Sequence, residues 1–239
     1  MAVMLVFIHA VFGLEILRRG VIFTDLAIGQ VAAVGMAVSI AFLHGRFQTP
    51  LTLAFALLAA ALIAFAADRL RHVEAFIGLL YALGISGMML ILAQSSEGME
   101  LYNKLSAADI LFASGSDVMH AAAIYLPVAA VMALLYPRLQ GLAKELLFFA
   151  ALAVTVTSSV QSAGVLMVFV LLIAPAMIGM LTVPAHPYFA AVAVGSVIVV
   201  AAMGISYAFD LPTGYSVVFL CAFAALAATM ILDRSIRQP

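Results

Sequence analysis

The first thirty residues of this largely apolar sequence include four side chains that could ligate a metal ion: His9, Glu15, Asp25 and Gln30. An imidazole, two carboxylates and an amide oxygen are a ligand set that suits a transiently bound divalent cation. His9 and Gln30 fall midway along two apolar runs, whereas Glu15 and Asp25 lie near the ends where the runs join. If these runs form antiparallel neighbouring helices, His9 could approach Gln30, and Asp25 could approach Glu15. We therefore treat these four residues as candidates for a metal pathway.

The same residues allow a purely structural interpretation. His9 and Gln30 could form a hydrogen bond between helices, and Glu15 could pair with Arg18 or Arg19. The remaining histidines lie at the ends of apolar runs and form no HxxxH or HExxH pattern, so a tight zinc site is not indicated.

A second candidate is the sequence GISG at residues 84–87, which is typical of an intramembrane serine protease of the rhomboid type when a histidine follows on a later helix. Catalysis would need a base within hydrogen-bond reach of Ser86. The downstream histidines, His120 and His186, lie at the ends of apolar runs, whereas Ser86 lies mid-run. Closely spaced small residues are also the ordinary device for close helix packing in membranes, and this is the alternative interpretation.

Composition determines which elements can position these residues. Of 239 residues, 67% are hydrophobic and 9% are charged, whereas a soluble domain carries roughly 25% charged residues. Apolar spans must satisfy their backbone groups internally, and the runs are long and unalternating, so helices are predicted rather than a barrel. The single Cys221 excludes an intrachain disulfide, and a net charge of −1 argues against a nucleic-acid partner.

The fold class predicted is an all-α integral membrane protein, a polytopic bundle of about nine transmembrane helices with eight as the alternative. One domain is expected over residues 1–239. The predicted spans are residues 1–17, 22–43, 51–67, 75–93, 118–136, 145–160, 162–183, 187–208 and 214–232.

The basic residues orient these spans. Eight of the ten Lys and Arg residues fall in one alternate set of loops and two in the other, namely Arg46 and Lys104. The positive-inside rule then places the N-terminus outside and the C-terminus in the cytoplasm. On the outer side, residues 94–117 have the spacing of an interfacial amphipathic helix, which either lies on the headgroups or offers a docking surface to a soluble partner.

Five segments, taken together and in order, resemble the permease family of zinc, manganese and iron ABC importers. Residues 17–35 resemble the family's LRR…F…DALSHA…G segment, and residues 74–78 its ExxAIG motif. The other three resemblances are residues 109–117 to GDIL…SD, residues 160–176 to QxxGVLLVxxLLIxPA, and residues 210–214 to DLPxG.

The resemblance implies a non-enzymatic permease that forms a homodimer in the bacterial cytoplasmic (inner) membrane. It also implies a separate ABC ATPase subunit, an extracytoplasmic metal-binding protein, and a transported divalent metal ion as the only metal, with no tightly bound cofactor. The sequence contains no GxxxxGK[ST] motif, so it predicts no ATP binding through a P-loop in this chain.

Two features depart from the family. The first concerns the family's metal-pathway Asp and His positions, which hold Leu26 and Gln30 here, with Asp25 one residue early. The pattern is closer to a branch of the family with the motif IHxxxGxHVLxR…VDLALAQ. His9 and Gln30 fall on positions of that motif, and Glu15 replaces one of its histidines.

The second departure is the loop at residues 137–144, which replaces a longer family loop containing the coupling helix. Its candidate coupling residues are Arg138, Gln140, Gly141 and Lys144. A helix of so few residues is marginal unless it packs on a partner. The loop therefore keeps open the alternative of a metal transporter that works without an ATPase.

Overall fold

A computed structural model describes residues 1–94, residue 100 and residues 114–236, except for the side chains of 233–236. Throughout these residues the regular structure is helical, which confirms the all-α prediction. The helices are α1 (Ala2–Arg19), α2 (Thr24–Leu43), α3 (Gln48–Arg69), α4 (Val73–Leu92), α5 (Gly115–Leu134), α6 (Gly141–Ala163), α7 (Val165–Thr182), α8 (Pro187–Phe209) and α9 (Thr213–Ile236). A short 3₁₀ turn, Tyr136–Arg138, precedes α6.

The nine predicted spans each correspond to one of these described helices. Eight of them, α2 to α9, are long and apolar enough to cross a membrane. The remaining helix, α1, ends in the charged residues Arg18 and Arg19. Most of the predicted interfacial segment 94–117 lies outside the described residues, and the orientation of the termini stays a prediction.

Helices α3, α5 and α6 begin a few residues before the apolar runs that predicted them, and two of these starts have a clear physical reason. Helix α3 starts at Gln48 and includes Pro50, which a first turn tolerates because its N–H groups have no partner within the helix. Helix α6 starts at Gly141 and includes Lys144, whose ammonium lies 4.8 Å from the ring centre of Tyr136. That cation–π contact accommodates the charge within the first turn of the helix.

The break between α6 and α7 consists of one residue, Gly164. Its φ of 80° and ψ of 157° lie in a region that essentially only glycine adopts. The predicted spans 145–160 and 162–183 placed this turn at Gln161, whereas α6 continues to Ala163. The position of the glycine, and not the preceding polar residues, therefore determines where the helix ends.

Contacts between the helices divide the chain into two compact units. Unit 1 contains α1, the first turn of α5, α7, α8 and α9, and unit 2 contains α2, α3, α4, α6 and the part of α5 that begins at His120. The expectation of a single domain over residues 1–239 stays a prediction.

Helix α2 is the central element of unit 2, because small residues let three neighbours approach it. A Cβ atom on Gly35 would press against the backbone of α3, and one on Gly84 of α4 would lie 3.0 Å from Cβ of Gln30. On a further side, a Cβ atom on Gly29 would lie 4.0 Å from Cγ1 of Val156 in α6. Helix α2 therefore carries Asp25 and Gln30 into the interior of this unit.

Helix α7 has the corresponding place in unit 1. Gly13 of α1 lies directly on the carbonyl group of Leu172, and a Cβ atom on Gly195 of α8 would lie 2.9 Å from Cβ of Pro175. Helix α9 also packs on α7. These close backbone approaches fix the position of α1, and with it that of His9.

Candidate functional site

His9 is fully buried in α1, with 0% of its surface exposed. Its Nδ1 donates a hydrogen bond to the carbonyl oxygen of Leu5 at 2.8 Å, one turn earlier in the helix. With the proton held on Nδ1, Nε2 keeps its lone pair. Nε2 has no hydrogen-bond partner among the described residues. A backbone hydrogen bond on one ring nitrogen and a lone pair on the other is the arrangement usual for a metal-ligating histidine.

Glu15 forms an ion pair on its own helix. Its Oε1 accepts a hydrogen bond from Nε of Arg19 at 2.9 Å, and its Oε2 lies 4.0 Å from Nη1 of Arg18. The pairing that the sequence offered as the structural alternative is therefore present. A role of Glu15 as a metal ligand stays a prediction, and it would require this carboxylate to leave a partner at ordinary ion-pair distance.

Asp25 and Gln30 are both buried in α2, with 2% and 8% of their surfaces exposed. Oδ1 of Asp25 and Oε1 of Gln30 are buried oxygen atoms for which the described residues provide no hydrogen-bond partner. Buried polar atoms are costly when unpaired, and in native proteins they are usually satisfied by a ligand, an ion or water. Both oxygen atoms are thus available to a cation.

The four predicted pathway residues divide between the two units. His9 and Glu15 belong to unit 1, and Asp25 and Gln30 belong to unit 2. Within the described part of the chain, no group of three or more His, Cys, Asp or Glu side chains is placed to hold a metal ion. Their joint action on one metal therefore stays a prediction.

The sequence analysis missed three residues with the same kind of unpaired oxygen: Glu74, Thr157 and Ser196 of α8. Thr157 is 7% exposed on α6, and its hydroxyl oxygen finds no partner in the described residues. Glu74, quoted only as part of a motif, accepts a hydrogen bond from the backbone N–H of Phe23 at 3.3 Å, while its Oε2 is buried without a partner. Glu74 thereby connects the start of α4 to the start of α2. In the sequence, the feature that could have identified it was its position as a lone carboxylate at the start of an apolar run.

Ser86 does not have the geometry of a nucleophile. Its hydroxyl donates to the carbonyl oxygen of Ala82 at 2.6 Å and lies 3.2 Å from that of Leu83, both in the same helix, and its side chain is on the exposed face of α4. Gly84, in contrast, faces α2. The small residues of this motif therefore serve helix packing, the alternative interpretation of the sequence.

Gly84→Ala is expected to lower the free energy of unfolding by about 1–3 kcal/mol, the usual cost of overpacking. The added methyl group would lie 3.0 Å from Cβ of Gln30 and 3.1 Å from the backbone of Gln30 and Val31, so α4 must move. Gly87→Ala is the matched control, since its methyl group would lie at an ordinary 3.8 Å from Val34. Unfolding in mixed micelles of increasing SDS content, followed by circular dichroism, measures both; equal midpoints for the two variants would contradict this packing.

The loop before α6 is held in place by contacts of the Tyr136 ring and exposes two polar side chains. Tyr136 packs on Phe148 with ring centres 5.9 Å apart, and the ammonium of Lys144 lies 4.8 Å from the centre of the Tyr136 ring. Arg138 and Gln140 are exposed. Between the 3₁₀ turn and the start of α6 at Gly141 only Leu139 and Gln140 lie outside helical structure, and the exposed Arg138 and Gln140 are accessible to a partner.

Helices long enough to cross a membrane define a multi-pass membrane protein, and a few buried oxygen and nitrogen atoms inside its helices have no partner among the described residues. Residues 138–232 match the sequence model of the ABC 3 transport family. The fold is similar to that of a chain in the structure of PsaBC from Streptococcus pneumoniae in complex with Fab, with a TM-score of 0.74 and 20% sequence identity over 99% of this chain and 91% of that chain. No curated protein matches the sequence.

These findings confirm the resemblance to ABC permeases that the motifs indicated. The family match covers residues 138–232, and the described helices are those of a multi-pass membrane protein. The match begins at Arg138, so it includes the short loop with its candidate coupling residues.

Proposed function

We propose that this permease imports a divalent transition metal, zinc, manganese or iron, across the bacterial cytoplasmic membrane by alternating access. The match of residues 138–232 to the ABC 3 transport family is the observation that carries this proposal. The buried lone pair of His9 and the unpaired oxygen atoms of Asp25 and Gln30 supply ligands of the kind a dehydrated cation needs.

The proposal includes three partners. An ABC ATPase hydrolyses ATP, because this sequence has no P-loop motif of its own. An extracytoplasmic metal-binding protein delivers the cation, and a second copy of the permease completes the pathway as a homodimer, as the family resemblance implies.

Coupling to the ATPase is proposed at the loop of residues 137–144. Arg138 and Gln140 present a cation and an amide to a partner, Gly141 turns the chain with a φ of 56°, and Lys144 braces the loop through the Tyr136 ring. A short loop that is already ordered loses little conformational entropy when it docks.

The first test is association with the ATPase. Affinity-tagged permease is expected to co-purify with an ABC ATPase from its native membrane, and Arg138→Glu is expected to reduce the recovered ATPase several-fold, because it reverses a charge on the proposed contact. Arg46→Glu is the matched control, since this exposed arginine lies in the opposite set of loops predicted by the charge pattern. Permease that recovers no ATPase while still importing metal would replace the proposal with the ATPase-independent transporter.

The intramembrane protease is not favoured by any observation of this structure. The hydroxyl group of Ser86 donates a hydrogen bond to a carbonyl oxygen of its own helix.

A further inference from the structure

Two hydroxyl residues in the interiors of the described helices, Thr157 of α6 in unit 2 and Ser196 of α8 in unit 1, have buried oxygen atoms without a hydrogen-bond partner among the described residues. A Ser or Thr inside a helix commonly donates its hydroxyl to the carbonyl oxygen four residues earlier. That bond is present at Ser86, Thr155, Ser159, Thr182 and Thr229. The buried hydroxyl of Thr157 does not make it, and no other described residue takes its place.

Neighbouring residues of α6 have a clear packing role. Ser159 donates to the carbonyl oxygen of Thr155 at 2.7 Å, and the hydroxyl of Tyr125 on α5 lies 2.8 Å from Oγ of Ser159. Thr155 and Ser159, four residues apart, therefore share the stripe of α6 that faces α5. Thr157 is 200° away from each of them around the helix at 100° per residue, so it lies off that stripe.

Thr157 lies instead beside the contact between α6 and α2. That contact joins Val156 to Gly29, and Thr157 and Gln30 are the residues that follow them. On α2, Asp25 lies four residues before Gly29, so the two residues share one face of the helix. Three buried residues of unit 2 with unpaired oxygen atoms thus lie at or within two turns of one helix contact.

We propose that Thr157 is a cation-pathway residue, an inference that rests on the proposed function. Its hydroxyl oxygen joins the amide oxygen of Gln30 and the carboxylate of Asp25 in an oxygen-only donor set within unit 2. Oxygen donors of this kind suit hard divalent cations such as Mn²⁺, whereas Zn²⁺ is better served by imidazole or thiolate. The part of the pathway in unit 2 therefore discriminates in favour of a hard cation. Thr157 contributes to that choice directly.

The test compares two threonines two residues apart in α6 of the purified full-length protein. Thr157→Val removes the unpaired hydroxyl at nearly constant volume and is expected to weaken Mn²⁺ binding about tenfold, a typical loss for an altered metal environment. Zn²⁺ binding is expected to change less. Thr157→Ser restores the hydroxyl and should return Mn²⁺ affinity close to that of the original protein. Binding is read from the free Mn²⁺ signal in electron paramagnetic resonance, with Zn²⁺ measured by competition.

Thr155→Val is the control, because its hydroxyl is bonded within α6 and it is equally buried. Unchanged Mn²⁺ affinity in Thr157→Val, or an equal loss in Thr155→Val, would overturn the inference, and so would a wild-type protein that binds no Mn²⁺. The proposed function is judged separately by recovery of the ATPase, which does not depend on Thr157. Failure of one can therefore be distinguished from failure of the other.

Discussion

Gly13→Ala is expected to destabilise the protein strongly, because it places a methyl group against the backbone of α7. The added methyl group would occupy the position of the carbonyl oxygen of Leu172 and would lie 3.1 Å from Cβ of Ala176, so α1 must separate from α7. Overpacking against a side chain can be relieved by a rotamer change, whereas a carbonyl group inside a helix cannot move alone. We therefore expect a loss at the upper end of the usual range, about 3 kcal/mol or more, from a total stability of about 5–15 kcal/mol.

The control for this change is Gly204→Ala in the same unit. Gly204 lies inside α8 with open space where a Cβ atom would be, so alanine should be neutral or should stabilise the helix by up to about 1 kcal/mol. Yield of monodisperse protein and the midpoint of unfolding in SDS-containing micelles measure both variants. A Gly13→Ala protein as stable as the original would mean that α1 does not approach α7 as described.

His9 allows the second large effect to be resolved atom by atom. Asparagine places an amide nitrogen near the position of Nδ1 but nothing at Nε2, whereas glutamine reaches the position of Nε2. If the lone pair on Nε2 serves the metal, His9→Asn should reduce metal uptake about tenfold or more. His9→Gln, which retains an oxygen ligand there, should lose less. Uptake of radioactive metal by cells that express the complete transporter measures this order.

A purely structural role of His9 predicts the opposite order, because the hydrogen bond to Leu5 would be the feature that matters. Both proteins must first show normal folded yield, so that reduced uptake is not a consequence of lost protein. His72→Asn, at an exposed position between α3 and α4, is the control for histidine replacement itself. Undiminished uptake in His9→Asn would reduce His9 to a packing contact.

Features that depend on composition and local spacing were predictable. The nine helices of the described residues follow from apolar runs, and the pairing of Glu15 with Arg19 follows from their separation of four residues on one helix. The packing role of Gly84 was also available, because small residues in membrane helices permit close approach. Each of these needs only the identity of a residue and its near neighbours.

The features that sequence reasoning missed depend on distant contacts or on a choice of rotamer. Glu74 reaches Phe23 across 51 residues of chain, and no local pattern reports such a contact. Thr155 and Thr157 are identical in type and stand in the same polar run, but only one bonds to its own helix. Periodicity assigns a face to each threonine but does not determine whether its hydroxyl is satisfied there.

The bracing of Tyr136 also has a mechanical consequence. Its ring contacts both the ammonium of Lys144 and the fully buried ring of Phe148, so the loop is tied to α6. Such a loop is stiff, so a force applied at Arg138 is transmitted to α6. A partner that binds at Arg138 would therefore displace α6 as a whole, whereas a longer and more flexible loop would bend and absorb part of the displacement.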